Sequence, residues 1–120
     1  MKAETIEEAI RDLVSVYGDW VRTAREGSRT LIRLSEVELP PGCRPPRTPL
    51  LIVFDPDHAK PTPYVQPGQL LANSRTPRST STQIVGGESW MQFSFNIPWA
   101  EDHGIIRFIA SARQRFAQND

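Results

Sequence analysis

Four groups of residues in this chain are of types that carry chemistry. Asp55, Asp57 and His58, in the run Phe-Asp-Pro-Asp-His, place two carboxylates beside an imidazole, a donor set that suits a divalent ion. The same residue types are ordinary turn formers. No second group of ligands stands near them in sequence, so a turn is the expected role and no metal or other cofactor is assigned. Cys43 lies between Pro-Gly and Arg-Pro-Pro. Arg44 and Arg47 could lower its pKa and favour the thiolate, yet neither His58 nor His103 has a recognisable relation to it, and a bystander thiol is expected. Ser79, Thr80, Ser81 and Thr82 follow Arg75 and Arg78. Hydroxyls beside positive charge suit a phosphate, but the glycine-rich cradle of a phosphate loop is missing, and the expected role is a solvated strand entry. Trp90 is the fourth: a large indole in the strand register opposite to the apolar one.

These groups must be held by a single small core. The chain has 120 residues, 38% of them hydrophobic and 23% charged, which fits one globular domain over residues 1–120 and not two independent ones. With 14 basic and 14 acidic residues the formal net charge is zero. That balance argues against bulk binding to nucleic acid or to an anionic membrane. One cysteine excludes an internal disulfide and suits a reducing cytoplasm. The acidic, amphipathic start Met-Lys-Ala-Glu-Thr-Ile-Glu-Glu has no apolar run of signal-peptide kind, and no segment is long and apolar enough to span a bilayer.

The periodicity predicts a helix over 5–26, with a stripe of Ile6, Ile10, Leu13, Tyr17, Trp20 and Ala24. Thr5 and Glu8 have capping-box spacing, Arg22 and Arg25 fall in its last turn, and Gly27 is placed to end it. Gly18 is its weak point. Residues 29–39 read as a strand whose apolar register changes, from Ile32 and Leu34 to Val37 and Leu39, through a bulge near Ser35. The prolines of 40–49 predict a stiff hairpin connection. Leu50–Phe54 is apolar throughout, as in a central strand covered on both faces. Residues 55–79 predict an ordered loop, pinned by Tyr64, Val65, Leu70 and Leu71. Gly86-Gly87 predicts a tight hairpin turn, after which Met91, Phe93, Phe95 and Ile97 face the core while Glu88, Trp90, Gln92, Ser94 and Asn96 face away. Asp102 is placed as N-cap of a second helix over 102–117, striped by Ile105, Phe108, Ile109, Ala112 and Phe116. A helix, about four antiparallel strands, a long proline-rich loop and a helix together predict an α+β fold. In that fold Trp90 lies on the far face of the sheet. There it is either roofed by the 55–79 loop or serves with Tyr64 and that loop as an anchor for a protein partner.

Taken in order, the initial helix, the strands, PTPYVQPG at 61–68 and GGESWMQFSFNIPW at 86–99 resemble a bacterial relative of the ubiquitin-conjugating-enzyme fold. The resemblance places Trp99 in the role of the family's tryptophan and Asn73, in LANSRTP, where the family's His-Pro-Asn asparagine lies, without the His-Pro. Counting from either landmark, the family's catalytic cysteine falls at Trp90 or Met91, neither of which can carry an acyl group. The resemblance therefore implies one of two things. The chain is a binding module without chemistry, or it takes part in a ubiquitin-like conjugation pathway that passes the acyl group as an oxyester. In the second case Ser89 is the nearest hydroxyl, with Ser94 or the 79–82 cluster as substitutes. A serine needs a base or a polarised acyl donor, and the adenylate or ester arriving from an activating enzyme would be such a donor. Asn73 would donate to the oxyanion, and Asp102 or His103 would orient an incoming amine. Partners implied are a ubiquitin-like protein and its activating enzyme, the latter against the first helix at Glu7, Arg11 and Arg22.

Overall fold

The computed structural model describes residues 1–93 and 97–118. Helix α1 (Ala3–Tyr17) is followed by a 3-10 turn (Gly18–Trp20) and by strands β1 (Val21–Glu26), β2 (Arg29–Glu38), β3 (Arg47–Phe54), β4 (Thr62–Val65), β5 (Thr80–Val85) and β6 (Glu88–Phe93). A second 3-10 turn (Glu101–His103) leads into helix α2 (Gly104–Arg115). The strands form one antiparallel sheet in the order β1-β2-β3-β4-β6-β5. The α+β class is as expected, but the sheet has six strands rather than about four.

The two additional strands come from segments with other expected roles. The predicted first helix stops at Tyr17 because Gly18 takes φ +57, with its N–H donating to the Val14 carbonyl; a left-handed glycine at this position ends helices. Residues 21–26 then leave the helix and pair along their whole length with β2, from Val21 opposite Leu34 to Glu26 opposite Arg29. Gly27, read as a helix terminator, instead supplies the positive φ of the two-residue turn between β1 and β2. The stripe positions Trp20 and Ala24 are consequently exposed, and Arg22 lies on a strand, not on a helix. The capping box does not form either. Lys2 is the N-cap, and the Thr5 hydroxyl reaches Glu101 at 3.3 Å, tying the two helix starts together.

The second surprise is β4. Thr62–Val65, inside the supposed loop, pairs with β3 on one side and with β6 on the other. The remainder, 66–79, is ordered by side-chain amides. Gln69 is fully buried; its Nε2 donates to the carbonyls of Pro45 (2.8 Å) and Leu70 (3.1 Å), and its Oε1 accepts from Gln66 Nε2 (3.1 Å). A buried amide whose donors and acceptor are all used can fix one loop on another. Leu71 is fully buried in the core, as an anchor should be.

Other elements follow the sequence closely. The pairing of β2 with β3 shifts register between Leu34 and Val37. This bulge lets Ile32, Leu34, Val37 and Leu39 all join one core. Every residue of β3 from Leu50 to Phe54 is buried. Val85 pairs with Glu88 across Gly86-Gly87, both glycines at positive φ. Met91, Phe93 and Ile97 enter the core; Ser94, Phe95 and Asn96 lie outside the described residues. The stripe of α2 is buried as expected, from Ile105 to Phe116, although His103 rather than Asp102 is its N-cap. Both helices pack on one face of the sheet. Trp99 closes their junction, edge-on to Phe54 (6.4 Å) and to Phe108 (5.8 Å).

Candidate functional site

The far face of the sheet, which the helices do not cover, carries a second apolar cluster of Leu31, Leu51, Val53, Tyr64, Val85 and Trp90. Alternation along β2, β3, β4, β5 and β6 places these side chains together. Trp90 is only 2% exposed, and its cover is not the 55–79 loop. From that segment only Tyr64 reaches the cluster, as a neighbour in the sheet and not as a roof. The cover comes from curling of the sheet itself. β1-β2 and β6-β5 lie toward opposite edges in strand order, yet the β5–β6 turn touches β1 and β2. The Gly86 N–H donates to Glu26 Oε2 (2.8 Å), and Arg33 Nε lies 3.3 Å from Glu88 Oε1. The Arg33 guanidinium stands 5.5 Å from the Trp90 ring centroid, close enough for a cation–π contact. An ion pair between Glu26 and Arg29 fixes the carboxylate that receives Gly86.

A cleft of about 180 Å³ remains between the curled turn and β1, lined by Arg22, Leu31, Arg33, Val85, Glu88 and Trp90. It is smaller than the clefts that enclose drug-sized ligands, roughly 300 Å³ and above. Burial pushes the Tyr64 phenol above its ordinary pKa, with Arg29 pulling slightly the other way; its hydroxyl donates to Gln83 Oε1 at 3.4 Å. A shallower groove of about 320 Å³ runs between α1 and β1, where Ile6, Ile10 and Ala24 meet Glu7, Arg25 and Thr30. Glu7 is therefore on a groove wall. Arg11 is exposed on the same helix and does not line it.

The candidate acyl-transfer residues do not converge. Ser89 is exposed near the hairpin tip, opposite Ile84, and among the described residues its hydroxyl has no hydrogen-bond partner. Asn73 is exposed at the other end of β6. Its Oδ1 accepts the Arg75 N–H (3.1 Å), and the preceding Ala72 N–H donates to the Phe116 carbonyl (2.8 Å). Phe116 packs edge-on to Phe93 at 5.1 Å. Phe93 lies four steps along the strand from Ser89, or about 13 Å at the usual rise. Ser94 lies outside the described residues.

No protein-family model, curated protein or solved structure matches this chain. Its chemistry has to be read from its own geometry.

The remaining candidates resolve into structural roles. Asp55 Oδ1 accepts the Asp57 N–H (2.9 Å) and the Asp55 carbonyl accepts the His58 N–H (3.0 Å), a turn closed by its own aspartate. Among the described residues no three His, Cys, Asp or Glu side chains group as metal ligands. Cys43 is buried in the main core, and its thiol donates to the Phe116 carbonyl at 3.7 Å. Burial raises its pKa, the opposite of the lowering its arginine neighbours suggested, because those guanidinium groups are exposed and the sulfur is not. Gly42 is the reason this loop can pack so closely: a Cβ there would sit 2.4 Å from the Ala72 carbonyl oxygen. In the 79–82 run, Ser81 and Thr82 are solvent-facing positions of β5. Among the described residues no helix is long and apolar enough to cross a membrane.

The sequence reading missed the groove between α1 and β1, since it placed both sides of that groove on one helix. Gly27-Ser28 between two six-residue stretches rich in β-branched and charged residues was the available signal. It also missed Arg33 and Glu88 as the clasp over Trp90, a pairing across 55 positions that no local pattern announces.

Proposed function

We propose that this chain is a ubiquitin-conjugating-enzyme-like domain of a bacterial ubiquitin-like conjugation pathway, engaging a ubiquitin-like protein and its activating enzyme. The observation that carries this reading is the order of elements. A helix precedes a four-stranded antiparallel meander, β1-β2-β3-β4; a hairpin and a junction tryptophan, Trp99, then lead into a second helix. The resemblance implies an initial helix, about four antiparallel strands and a glycine-to-tryptophan segment before a second helix; β1 and β4 are additional to that order, and β6 opens the glycine-to-tryptophan segment.

Within this reading Ser89 is the acceptor, because among the described residues it is the exposed hydroxyl of β6, the strand on which the family's cysteine position falls; Ser81 and Thr82 on β5 are exposed as well. Its Oγ bonds to the C-terminal carbonyl carbon of the ubiquitin-like protein, delivered as an adenylate or thioester. The bond from that carbon to AMP or to sulfur breaks, and the hydroxyl proton passes to solvent or to the departing thiolate. Among the described residues no base hydrogen-bonds Ser89, so the driving force comes from the activated donor. Asn73 does not serve the same carbonyl, being at the far end of β6. The groove of α1 carrying Glu7 is the contact for the activating enzyme.

Among the described residues no base or amide donor hydrogen-bonds Ser89, which favours a second reading, an adaptor that binds these partners without accepting the acyl group. One experiment separates the two. The protein is incubated with its activating enzyme, ubiquitin-like protein and ATP, and its intact mass is read. A hydroxylamine-labile adduct, lost in Ser89→Ala, supports transfer. Unchanged mass in a reaction where the activating enzyme itself is charged removes transfer and leaves the adaptor. Failure of the charged enzyme to bind the protein at all removes both.

A further inference from the structure

The two edges of the sheet are built differently. β1 carries Arg22, Arg25 and Glu26 among its six residues, the kind of charge that keeps an edge strand from adding a neighbour. β5, Thr-Ser-Thr-Gln-Ile-Val, has no charge, no proline and no bulge. Ser81, Thr82, Gln83 and Ile84 are all solvent-facing, and Ile84 is 76% exposed, the most exposed large apolar side chain among the described residues.

The hairpin fixes which main-chain groups of β5 are free. Across a two-residue turn the flanking residues, Val85 and Glu88, exchange both main-chain hydrogen bonds, and the pattern alternates from there. Gln83 with Trp90 and Ser81 with Gln92 are therefore the bonded pairs. Thr80, Thr82 and Ile84 direct their N–H and C=O groups away from β6, to the open edge. These three positions are symmetric about Thr82.

We infer that β5 is a self-association edge: two copies of this chain pair their β5 strands antiparallel about a twofold axis at Thr82. In that register Thr82 faces its counterpart, and Thr80 faces Ile84 of the second copy at both ends. All three outward residues of each strand find partners, which only an antiparallel register centred on Thr82 achieves. Ile84 comes to lie across from one threonine methyl and diagonal to another, distances at which cross-strand side chains pack. No like charges are opposed within the strand. The zero net charge of the chain removes the general repulsion between copies. The assembly closes as a dimer because the remaining edge, β1, is charged. A partner of a different sequence would gain the hydrogen bonds but not the symmetric match of Thr80 with Ile84. The pairing is independent of acyl transfer.

Sedimentation equilibrium of the intact chain tests it. The expected result is a monomer–dimer equilibrium with a dissociation constant of about 1–100 µM, in keeping with a small interface. Thr82→Pro removes an N–H that β6 does not use, and Thr82→Lys sets two cations face to face on the axis. Each should weaken the dimer at least about tenfold while retaining the circular dichroism of the native protein. Thr82→Cys should crosslink to a dimer under mild oxidation, since paired Cα atoms about 5.5 Å apart lie within disulfide reach. The buried Cys43 does not compete, and Glu7→Cys on α1 should not crosslink. A monomer up to about 1 mM, or a dimer that both Thr82 variants leave intact, overturns the proposal. Should both variants lose their fold, crosslinking of Thr82→Cys no faster than that of Glu7→Cys overturns it equally.

Discussion

The two faces of the sheet hold their apolar residues in different ways. On one face, α1 and α2 lie over Ile32, Leu34, Ile52, Phe54, Met91 and Phe93, and the covering elements bring their own side chains: Leu13, Ile105, Phe108, Ile109 and Phe116. On the other, six residues are covered by the sheet's own curl and by one arginine. The first arrangement is a layered core, with burial on both sides of the contact. The second depends on a hairpin tip staying in place, held by one hydrogen bond from Gly86 to Glu26 and one ion pair from Glu88 to Arg33. Such a region belongs to the lower-stability part of a fold, because it can open without separating the layers.

Truncating one large side chain on each face tests that contrast. Phe108→Ala should cost about 4 kcal/mol and Trp90→Ala about 3 kcal/mol, both in the range for buried aromatics. Denaturant unfolding reads the difference. The sharper distinction is local. Amide exchange in Trp90→Ala should accelerate at Val85–Glu88 while α2 keeps its protection, whereas Phe108→Ala should raise exchange on both faces. Uniform acceleration in the two variants would mean that the faces form one cooperative unit.

A smaller effect is expected at the hairpin tip. Gly86 has φ +59, and an added Cβ would lie 3.2 Å from Leu31 Cδ1. Gly86→Ala should therefore cost about 1–2 kcal/mol, from left-handed strain together with displacement of the tip. Gly87 also has positive φ, but a Cβ there meets nothing. Gly87→Ala should incur the backbone strain alone, and the difference between the two variants measures the contact with Leu31. Equal thermal midpoints for the two would show that the tip does not press on β2.

The smallest effect belongs to Arg33. Its side chain and that of Glu88 are 35% and 53% exposed, so solvent screens the pair and its net contribution is below about 1 kcal/mol. The aliphatic stem still covers Trp90. Arg33→Met should thus change stability little and reduce its dependence on salt, whereas Arg33→Ala should be the more destabilising because it uncovers the indole. A larger loss in the methionine variant would reverse the order of charge and packing argued for this face.

What could be read locally came through where periodicity and turn chemistry agreed. The register change at Ser35, the buried β3, the Gly86-Gly87 hairpin and the stripe of α2 each depend on residues close together in the chain, and each formed as expected. Residues 18–26 misled because Trp20 and Ala24 happen to continue a helical spacing. Nothing local says that β2 needs a partner on its outer side, and a glycine at 18 can be tolerated in a helix or can end it. Similarly, five prolines in 55–79 speak against regular structure, yet Pro63 sits within β4. The candidate site was legible only as residue types. Alternation put Trp90 on the far face, but its burial there, the exposure of Ser89 in the register of Met91 and Phe93, and the separation of Ser89 from Asn73 did not follow from it.

The chain's own pattern determined the α+β class, the stripe of α2, the stripe of α1 as far as Tyr17, the core register of β6 and the lack of charge in β5, because apolar spacing and glycine placement act over a few residues. Tertiary structure alone decided that 21–26 pairs with β2, that β4 inserts between β3 and β6, and that Arg33 meets Glu88 over Trp90. Those contacts join residues up to 55 positions apart, and their stabilisation depends on shared burial that no short window of sequence contains.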